Sequence, residues 1–320
     1  MPAPRVLFVK LSSLGDVVHH MPAVSDLAQH RPEVRVAWAV EEAYAGLVRM
    51  HPGVHEVVAV GLRGLRRAFF DRSRWAGLAT TRRTLARGGW DYVIDSQGLI
   101  KSALVARTAR GVSFGLDRTS ARERMAARFY DVKFRVDWDR HAVQRNRDLV
   151  AQVFGYRATQ PARYGLAAPM APPAWAPMQR YAVLLHAASR PEKRWPEGHW
   201  IALGGLLAAA GYACVLPGGT EAERAAAARL AAAIPNAIAA PATGLAEIAA
   251  LLAHAELVAG VDTGLHGASG VNVGGLGKPP TVEAVAAALG CGPPGSETRG
   301  GPPGSETRGG PQARDPAAGA

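Results

Sequence analysis

The sequence has very little cysteine. Cys214 and Cys291 are its only two, and they stand far apart with no spacing typical of a metal site or a redox pair. Cys214 lies in an apolar run, where we expect a buried thiol that serves packing alone. Nothing in this cysteine content requires an oxidising compartment.

Long uninterrupted hydrophobic runs are also missing. The N-terminal apolar run, residues 6–9, is far shorter than the core of a signal peptide. A longer uncharged stretch, residues 201–216, is interrupted by Gly204, Gly205 and Gly211, which favours a buried helix and a following strand over a membrane span. We therefore expect a soluble, cytoplasmic protein.

Glycine-rich nucleotide signatures are absent where they would be informative. No Gly-x-Gly-x-x-Gly turn follows the apolar runs at residues 5–9 and 181–185, which argues against a nicotinamide-dependent oxidoreductase. The segment after the second of these runs does not form a Walker loop either.

Positive charge, in contrast, is abundant and concentrated. Residues 60–150 hold 20 Lys and Arg against 9 Asp and Glu, which accounts for the whole net charge of +11. This favours an anionic partner such as nucleic acid, anionic lipid or a phosphorylated glycan, although a merely solvated arginine-rich surface explains the composition too. Because no basic stretch is interleaved with aromatics and no known binding module is present, we expect no nucleic-acid partner.

Short apolar runs alternate with helical stretches along most of the chain, which is typical of doubly wound α/β folds with parallel sheets. Strands are predicted at residues 5–9, 34–40, 56–60, 92–95, 181–185, 212–216, 237–239 and 257–261, with helices such as 74–87, 221–233 and 245–255 between them.

This alternation predicts two α/β domains, residues 1–157 and 178–289, joined by a proline-rich linker at 158–177. Residues 290–320 contain Gly-Pro-Pro-Gly-Ser-Glu-Thr-Arg-Gly twice in tandem and are expected to be a disordered tail. In such folds ligands bind beyond the carboxyl ends of the strands, so we expect a site in the cleft between the domains.

Three loops that follow predicted strands carry candidate site residues. In the first, Asp16 stands at a helix N-terminus and is either a helix cap or a general base aimed at an acceptor hydroxyl. In the second, Ser189 and Lys193 cradle a diphosphate, or else Lys193 and Arg194 are surface cations and Trp195-Pro196 opens a helix. In the third, residues 260–265, an Asp-Thr-Gly sequence suits a sugar or a phosphate, or forms a simple turn.

Seven strings carry a family resemblance: VKLSSLGDVVHHMPA at 9–23, DSQGLIKSA at 95–103, FGLDRTSARE at 114–123, HAVQRNR at 141–147, HAASRPEKRWPEGHW at 186–200, LPGGTEAER at 216–224 and GVDTGL at 260–265. In this order they resemble the bacterial lipopolysaccharide heptosyltransferases of glycosyltransferase family 9. The forms HAVQRNR and SSLGD are more similar to the first heptosyltransferase of the inner core than to the second.

The resemblance implies two Rossmann-like domains facing across a cleft, the GT-B arrangement, with no metal or other cofactor. It implies an inverting transfer of L-glycero-D-manno-heptose from ADP-L-glycero-β-D-manno-heptose to the Kdo of Kdo2-lipid A. Asp16 matches the base that deprotonates the Kdo hydroxyl. Lys193 and Ser189 match the positions that hold the donor diphosphate and stabilise the leaving ADP.

The resemblance assigns further residues to each substrate. The donor side receives Asp262, Thr263, Gly264, Leu265 and a ribose-binding carboxylate, which is Glu221 or, because the spacing slips, Glu223. The acceptor side receives Ser13, Gly15, Arg63, Arg66, Arg67, Gln97, Lys101, Arg122, His141 and Arg145.

Since Kdo and lipid A are strongly anionic, the guanidinium groups on the acceptor side suit them. Attachment to the anionic cytoplasmic face of the inner membrane would follow. A catalytically inactive binder of the same anionic glycolipid is the alternative that the basic region allows.

The resemblance breaks after Leu265. His266 comes one residue before the place of the family histidine, which Gly267 occupies, and about one helix and one strand, roughly 17 residues, are missing before residues 272–285. We interpret this as an in-frame deletion or an assembly error. An uncovered sheet face costs several kcal/mol of a total stability of about 5–15 kcal/mol, so we expect weakened ADP-heptose binding and little or no turnover.

Overall fold

The computed structural model describes residues 2–61, 72–167, 169–188 and 194–261. The first half of this part of the chain contains six strands, β1 (Arg5–Val9), β2 (Arg35–Glu41), β3 (Glu56–Val60), β4 (Tyr92–Asp95), β5 (Val112–Leu116) and β6 (Val132–Phe134). Its helices are α1 (Leu14–Val18), α2 (Met21–His30), α3 (Glu42–Val48), α4 (Arg72–Arg87), α5 (Ile100–Thr108), a 3-10 helix (Arg124–Phe129) and α6 (Ala142–Phe154).

These six strands form one parallel sheet in the order β3-β2-β1-β4-β5-β6. The strand order reverses between β1 and β4, which lie side by side although about eighty residues of chain separate them. In open parallel sheets such a reversal leaves a crevice at the carboxyl ends of the two strands, and ligands bind there. The loops after β1 and β4 therefore meet at the predicted acceptor site.

The second sheet is built in the same way from the later strands. It has the parallel order β10-β7-β8-β9, with its reversal between β7 and β10. Its elements are β7 (Tyr181–Leu185), α7 (Glu197–Ala209), β8 (Ala213–Leu216), α8 (Glu221–Ala233), β9 (Ala237–Ala239), α9 (Leu245–His254) and β10 (Leu257–Gly260).

Both faces of each sheet are covered, which explains why the central strands are uniformly apolar rather than alternating. In β1, Val6 and Phe8 enter a core with α2 and α3, while Leu7 and Val9 enter a second core with α4 and α5. The second sheet divides in the same way. Cys214 is fully buried as predicted, and burial raises the pKa of its thiol to about 11.

Every predicted strand is present, with boundaries that differ by one residue at most. The strand predicted at 34–40 runs over Arg35–Glu41, and that predicted at 257–261 ends at Gly260. Sequence reasoning missed β5 and β6, because Ser113 and Gly115 interrupt the apolar character of β5 and β6 has only three residues.

The predicted linker lies between the last helix of the first unit and the first strand of the second. Its described residues form neither helix nor strand. Its first part packs on the core of the first sheet through Tyr164 and Leu166, and its later part packs on the second sheet through Trp175 and Ala176.

No helix among the described residues is long and apolar enough to cross a membrane. The predicted loss after Leu265 and the predicted tail at 290–320 lie outside the residues that the structure describes.

Candidate active site

The loop after β1 carries Asp16, which lies in the first turn of α1. Its Oδ2 accepts hydrogen bonds from the backbone N–H of Ser13 at 3.2 Å and from the Ser13 hydroxyl at 3.3 Å. Arg122 forms a two-pronged ion pair with the same carboxylate, and its Nη2 lies 2.8 Å from Oδ1. Asp16 therefore serves as a local cap, and its carboxylate also faces a group of cations.

The charge state of Asp16 follows from these neighbours. Partial burial raises the pKa of its carboxyl, but the positive charges of Lys10 and Arg122 and the hydrogen bonds from Arg122 and Ser13 outweigh it. The pKa therefore lies below its ordinary value, and Asp16 is a carboxylate at neutral pH. An ionised carboxylate is the form that a general base requires.

Lys10 lies beneath this carboxylate and was not predicted to belong to the site. Its ammonium group is buried and donates to the carbonyl of Ser96 at 3.0 Å and to Asn146 Oδ1 at 3.3 Å. Burial lowers the pKa of Lys10 to about 8, against the opposing effect of Asp16. One feature of the sequence could have indicated this burial. Lys10 directly follows the apolar strand β1, and the residue after a buried strand is often buried itself.

Arg145 forms the second cationic wall of the site. Its guanidinium lies 3.8 Å from the centre of the Trp138 ring, and its Nη2 donates to the carbonyl of Ser120 at 2.7 Å. Its Nε is buried and has no hydrogen-bond partner among the residues that the structure describes. Stacking on an aromatic face orders a guanidinium and leaves its N–H groups free for an anion. Trp138, which sequence reasoning missed, is thus part of the site.

A small cavity connects these groups. Its volume of about 30 Å³ is enough for a water molecule and too small for a sugar ring, so an acceptor would bind at its mouth. Its polar lining comes from Lys10, Asp16, Ser96, Gln97, Arg122, Arg145 and Asn146.

His141 precedes α6 and caps it, because its Nδ1 accepts a hydrogen bond from the N–H of Val143 at 3.3 Å. Its ring lies edge-on to His19, with 5.4 Å between the ring centres. Burial, and then the neighbouring His141, lowers the pKa of His19. Both imidazoles border the predicted acceptor side.

Gln97 and Lys101, predicted as acceptor contacts, both bond to the loop after β1. The Gln97 amide is buried and bonds to the backbone of Leu11 and Ser12. Lys101 Nζ donates to the Ser12 hydroxyl at 3.1 Å and lies 3.7 Å from a carboxylate oxygen of Glu41.

The structure thus brings together most of the predicted acceptor-side residues around Asp16, namely Ser13, Gly15, Gln97, Lys101, Arg122, His141 and Arg145. The predicted arginines Arg63, Arg66 and Arg67 lie outside the described residues.

The donor side is described only in part. Ser189, Lys193, Asp262, Thr263, Gly264 and Leu265 lie outside the described residues, so their roles stay predictions. Of the two candidate ribose carboxylates, Glu223 caps α8, since its Oε2 accepts from the N–H groups of Gly219 and Thr220, each at 2.9 Å. Glu221 is exposed at the first position of that helix and is the carboxylate left available to a ligand.

In the described ranges no three His, Cys, Asp or Glu side chains come together as a metal site would require. The absence of a metal or other cofactor stays a prediction.

Comparison with known proteins identifies the family. The family model of glycosyltransferase family 9 (heptosyltransferase) matches residues 78–272. Lipopolysaccharide heptosyltransferase 1 of Salmonella typhimurium is 41% identical over 263 residues, which cover 82% of this chain and 83% of the relative. The protein of the same description from Escherichia coli K12 is also 41% identical, with 82% of each chain covered.

Solved structures agree with this result. The E. coli heptosyltransferase WaaC with ADP matches with a TM-score of 0.80 and 35% identity, over 89% of this chain and 99% of that one. The same enzyme with ADP-2-deoxy-2-fluoro heptose matches with a TM-score of 0.79 at the same identity and coverage. These matches confirm the predicted GT-B fold, and they favour a glycosyltransferase over the inactive glycolipid binder. The chain belongs to glycosyltransferase family 9, the heptosyltransferases.

Proposed function

We propose that this chain transfers L-glycero-D-manno-heptose from ADP-L-glycero-β-D-manno-heptose to the Kdo of Kdo2-lipid A, with inversion and with Asp16 as the general base. The observation that carries the proposal is an ionised carboxylate enclosed by Lys10, Arg122 and Arg145 at the strand-order reversal of the first sheet. The relatives named for lipopolysaccharide heptosyltransferase activity support this choice of substrates.

The arginines beside Asp16 favour an acceptor substrate that carries a carboxylate or a phosphate. Arg122 is half exposed beside Asp16, and Arg145, whose Nε has no partner among the described residues, lines the same cavity. A carboxylate or phosphate of the acceptor can bond to these guanidiniums in the charge-assisted manner that is roughly twice as strong as a neutral hydrogen bond. Such binding places an adjacent sugar hydroxyl near the Asp16 carboxylate.

The chemistry then needs one proton acceptor. The acceptor hydroxyl oxygen attacks the anomeric carbon of the heptose, and its proton passes to the Asp16 carboxylate. The bond from that carbon to the β-phosphate oxygen breaks, and its electron pair leaves with ADP. A single displacement of this kind inverts the anomeric centre. We propose that Ser189 and Lys193 stabilise the leaving diphosphate, that Glu221 binds the ribose, and that residues 262–265 contact the donor.

The base is tested by Asp16→Asn, which keeps the size of the side chain and cannot take up a proton. We expect the rate of transfer from ADP-heptose to Kdo2-lipid A to fall by about 10²–10⁴-fold. Asp139→Asn, at an exposed site on the same basic half of the chain, is the matched control and should keep the wild-type rate. An Asp16→Asn enzyme that retains more than a tenth of that rate contradicts the assignment. If both this chain and the version with the missing helix and strand restored bind Kdo2-lipid A without any transfer, the glycolipid binder is supported instead.

The break after Leu265 is tested by comparing this chain with a version in which the missing helix and strand are restored. We expect the restored version to bind ADP-heptose more tightly and to turn over faster. Equal rates for the two versions contradict the prediction that the shorter form is impaired.

We further propose that the enzyme binds the anionic inner membrane surface through one face of α5 and the adjoining 3-10 helix. Ile100, Leu104 and Met125 are exposed there, the last two by nearly half. α5 packs on the 3-10 helix through Ala103 and Ala126. These two helices and the residues that directly follow or precede them carry five exposed cations and two exposed acidic residues. The cations are Lys101, Arg107, Arg110, Arg124 and Arg128, and the acidic residues are Glu123 and Asp131.

Basic and apolar groups together fit an anionic bilayer, since each cation near its surface contributes about 1 kcal/mol. Lys101 also bonds to the loop that carries Asp16, so this face adjoins the site where a lipid-anchored acceptor would arrive. Leu104→Ser should weaken sedimentation with phosphatidylglycerol vesicles, while Ile238→Ser, an equally polar change on the second sheet, should not. Equal binding to purely zwitterionic vesicles contradicts the proposal.

A further inference from the structure

We infer that Gln97 is a positioning residue, which holds the backbone of residues 11–13 in place and thereby orients Asp16, rather than a contact of the acceptor. Its side chain is 2% exposed. Its Oε1 accepts the N–H of Leu11 at 2.7 Å, and its Nε2 donates to the carbonyl of Ser12 at 2.9 Å. The inference rests on the proposed function, because it takes Asp16 as the base.

The two bonds define how the Gln97 amide is oriented. One partner is an N–H donor and the other a carbonyl acceptor, so exchanging the amide oxygen and nitrogen would place like groups against each other. Gln97 borders the small cavity, yet both ends of its amide are bonded to main-chain groups of the β1 loop. The amide keeps one further lone pair and one further N–H, but the residue is almost completely buried, so little of it is accessible to a ligand.

A buried carboxylate holds Gln97 itself. Asp95, at the end of β4, accepts the N–H of Gln97 at 2.8 Å and the N–H of Gly98 at 3.3 Å. Its other oxygen accepts the hydroxyl of Tyr130 at 2.7 Å. The Tyr130 ring lies so close to Gly115 that an added Cβ there would stand 2.4 Å from it, so this glycine makes room for the tyrosine.

The connection continues from the β1 loop to the base. Ser13 follows the two residues that Gln97 holds, and its N–H and hydroxyl both donate to Asp16 Oδ2. Lys101 attaches the same loop through the Ser12 hydroxyl. A shift of this loop therefore moves Asp16 relative to an acceptor hydroxyl, and displacements of about 1 Å at a reacting group can cost 10²-fold in rate.

Gln97→Met tests the inference, since methionine has similar length and makes neither bond. The first measurement is amide hydrogen exchange of the unliganded, full-length chain. A lost hydrogen bond of about 1.4 kcal/mol changes an opening equilibrium about tenfold. We therefore expect the Leu11 amide to exchange about tenfold faster. Gln152→Met, at an exposed glutamine of α6 whose amide also bonds to carbonyl groups, is the matched control and should leave Leu11 unchanged.

Kinetics separate positioning from ligand binding. We expect Gln97→Met to lower kcat at least tenfold with the acceptor KM within twofold of wild type. The acidic limb of kcat should move to higher pH, because the bonds from Ser13 help to lower the pKa of Asp16 and a loosened loop weakens them.

A Leu11 amide that exchanges at the wild-type rate in Gln97→Met overturns the inference. So does a raised acceptor KM with unchanged kcat, which would make Gln97 an acceptor contact. The exchange measurement does not depend on transfer activity, whereas failure of the proposed function would show as full activity in Asp16→Asn. The two failures are therefore distinguishable.

Discussion

The buried ion pair between Arg147 and Asp26 offers a sharp test of what holds the acceptor-side unit together. The side chains are 4% and 7% exposed, and Arg147 Nε lies 2.7 Å from Asp26 Oδ2. Arg147 also donates to the carbonyl of Gln160, in the segment between the two sheets, at 2.6 Å. The pair thus joins α2, α6 and that segment.

Arg147→Met removes the charge and keeps most of the side-chain length. The carboxylate of Asp26 then stays buried without its cation, and breaking a buried pair in this way costs about 3–5 kcal/mol. Folding stabilities total about 5–15 kcal/mol, so the loss is a large fraction. At about 2–4 °C per kcal/mol for a unit of this size, we expect the melting temperature to fall by roughly 10 °C.

Urea and thermal unfolding of the full chain measure the loss. Arg147→Met combined with Asp26→Leu should recover most of it, since no unpaired charge remains. The control is Arg229→Met, which breaks the exposed pair with Glu197 and should change the free energy of unfolding by less than about 1 kcal/mol. An Arg147→Met chain no less stable than this control would refute the reasoning, because it would show that water solvates Asp26.

Three further outcomes are expected at the site. Arg122→Gln should raise the pKa of Asp16, because the ion pair lowers it, so the acidic limb of a kcat–pH profile moves to higher pH; a stationary limb contradicts the assignment. Glu221→Ala should raise the KM for ADP-heptose. Glu223→Ala should mainly cost about 1 kcal/mol of stability through the lost helix cap, and the reverse pattern exchanges their roles. Dialysis against EDTA should leave the transfer rate unchanged, and a loss that a divalent metal restores contradicts the predicted absence of a cofactor.

Most of the fold could be read from the sequence because the central strands are buried on both faces. Strands such as β1 and β7 are then continuous apolar runs bounded by turns, a pattern that local reading detects. The order of the strands in the sheet could not be read in this way. The pairing of β1 with β4 depends on packing between distant segments, and no local pattern in either strand records it.

In the site, too, some features could be predicted from the sequence and others could not. Asp16 and Arg122 were predicted by resemblance, and the structure places them in contact although 106 residues separate them. Burial of a lysine runs against its usual preference, so Lys10 was not singled out. The bonding of Gln97 to a backbone 85 residues away, and of Arg145 to the face of Trp138, exists only in three dimensions.

The two anchor points of the connecting segment set a mechanical limit on the enzyme. Leu166 is fixed on the first sheet and Trp175 on the second, so only nine residue steps lie between them. Fully extended, those steps span about 30 Å, and prolines within them restrict the backbone further. The segment therefore acts as a short tether, which keeps these two anchor points within about 30 Å of each other however the substrate cleft opens.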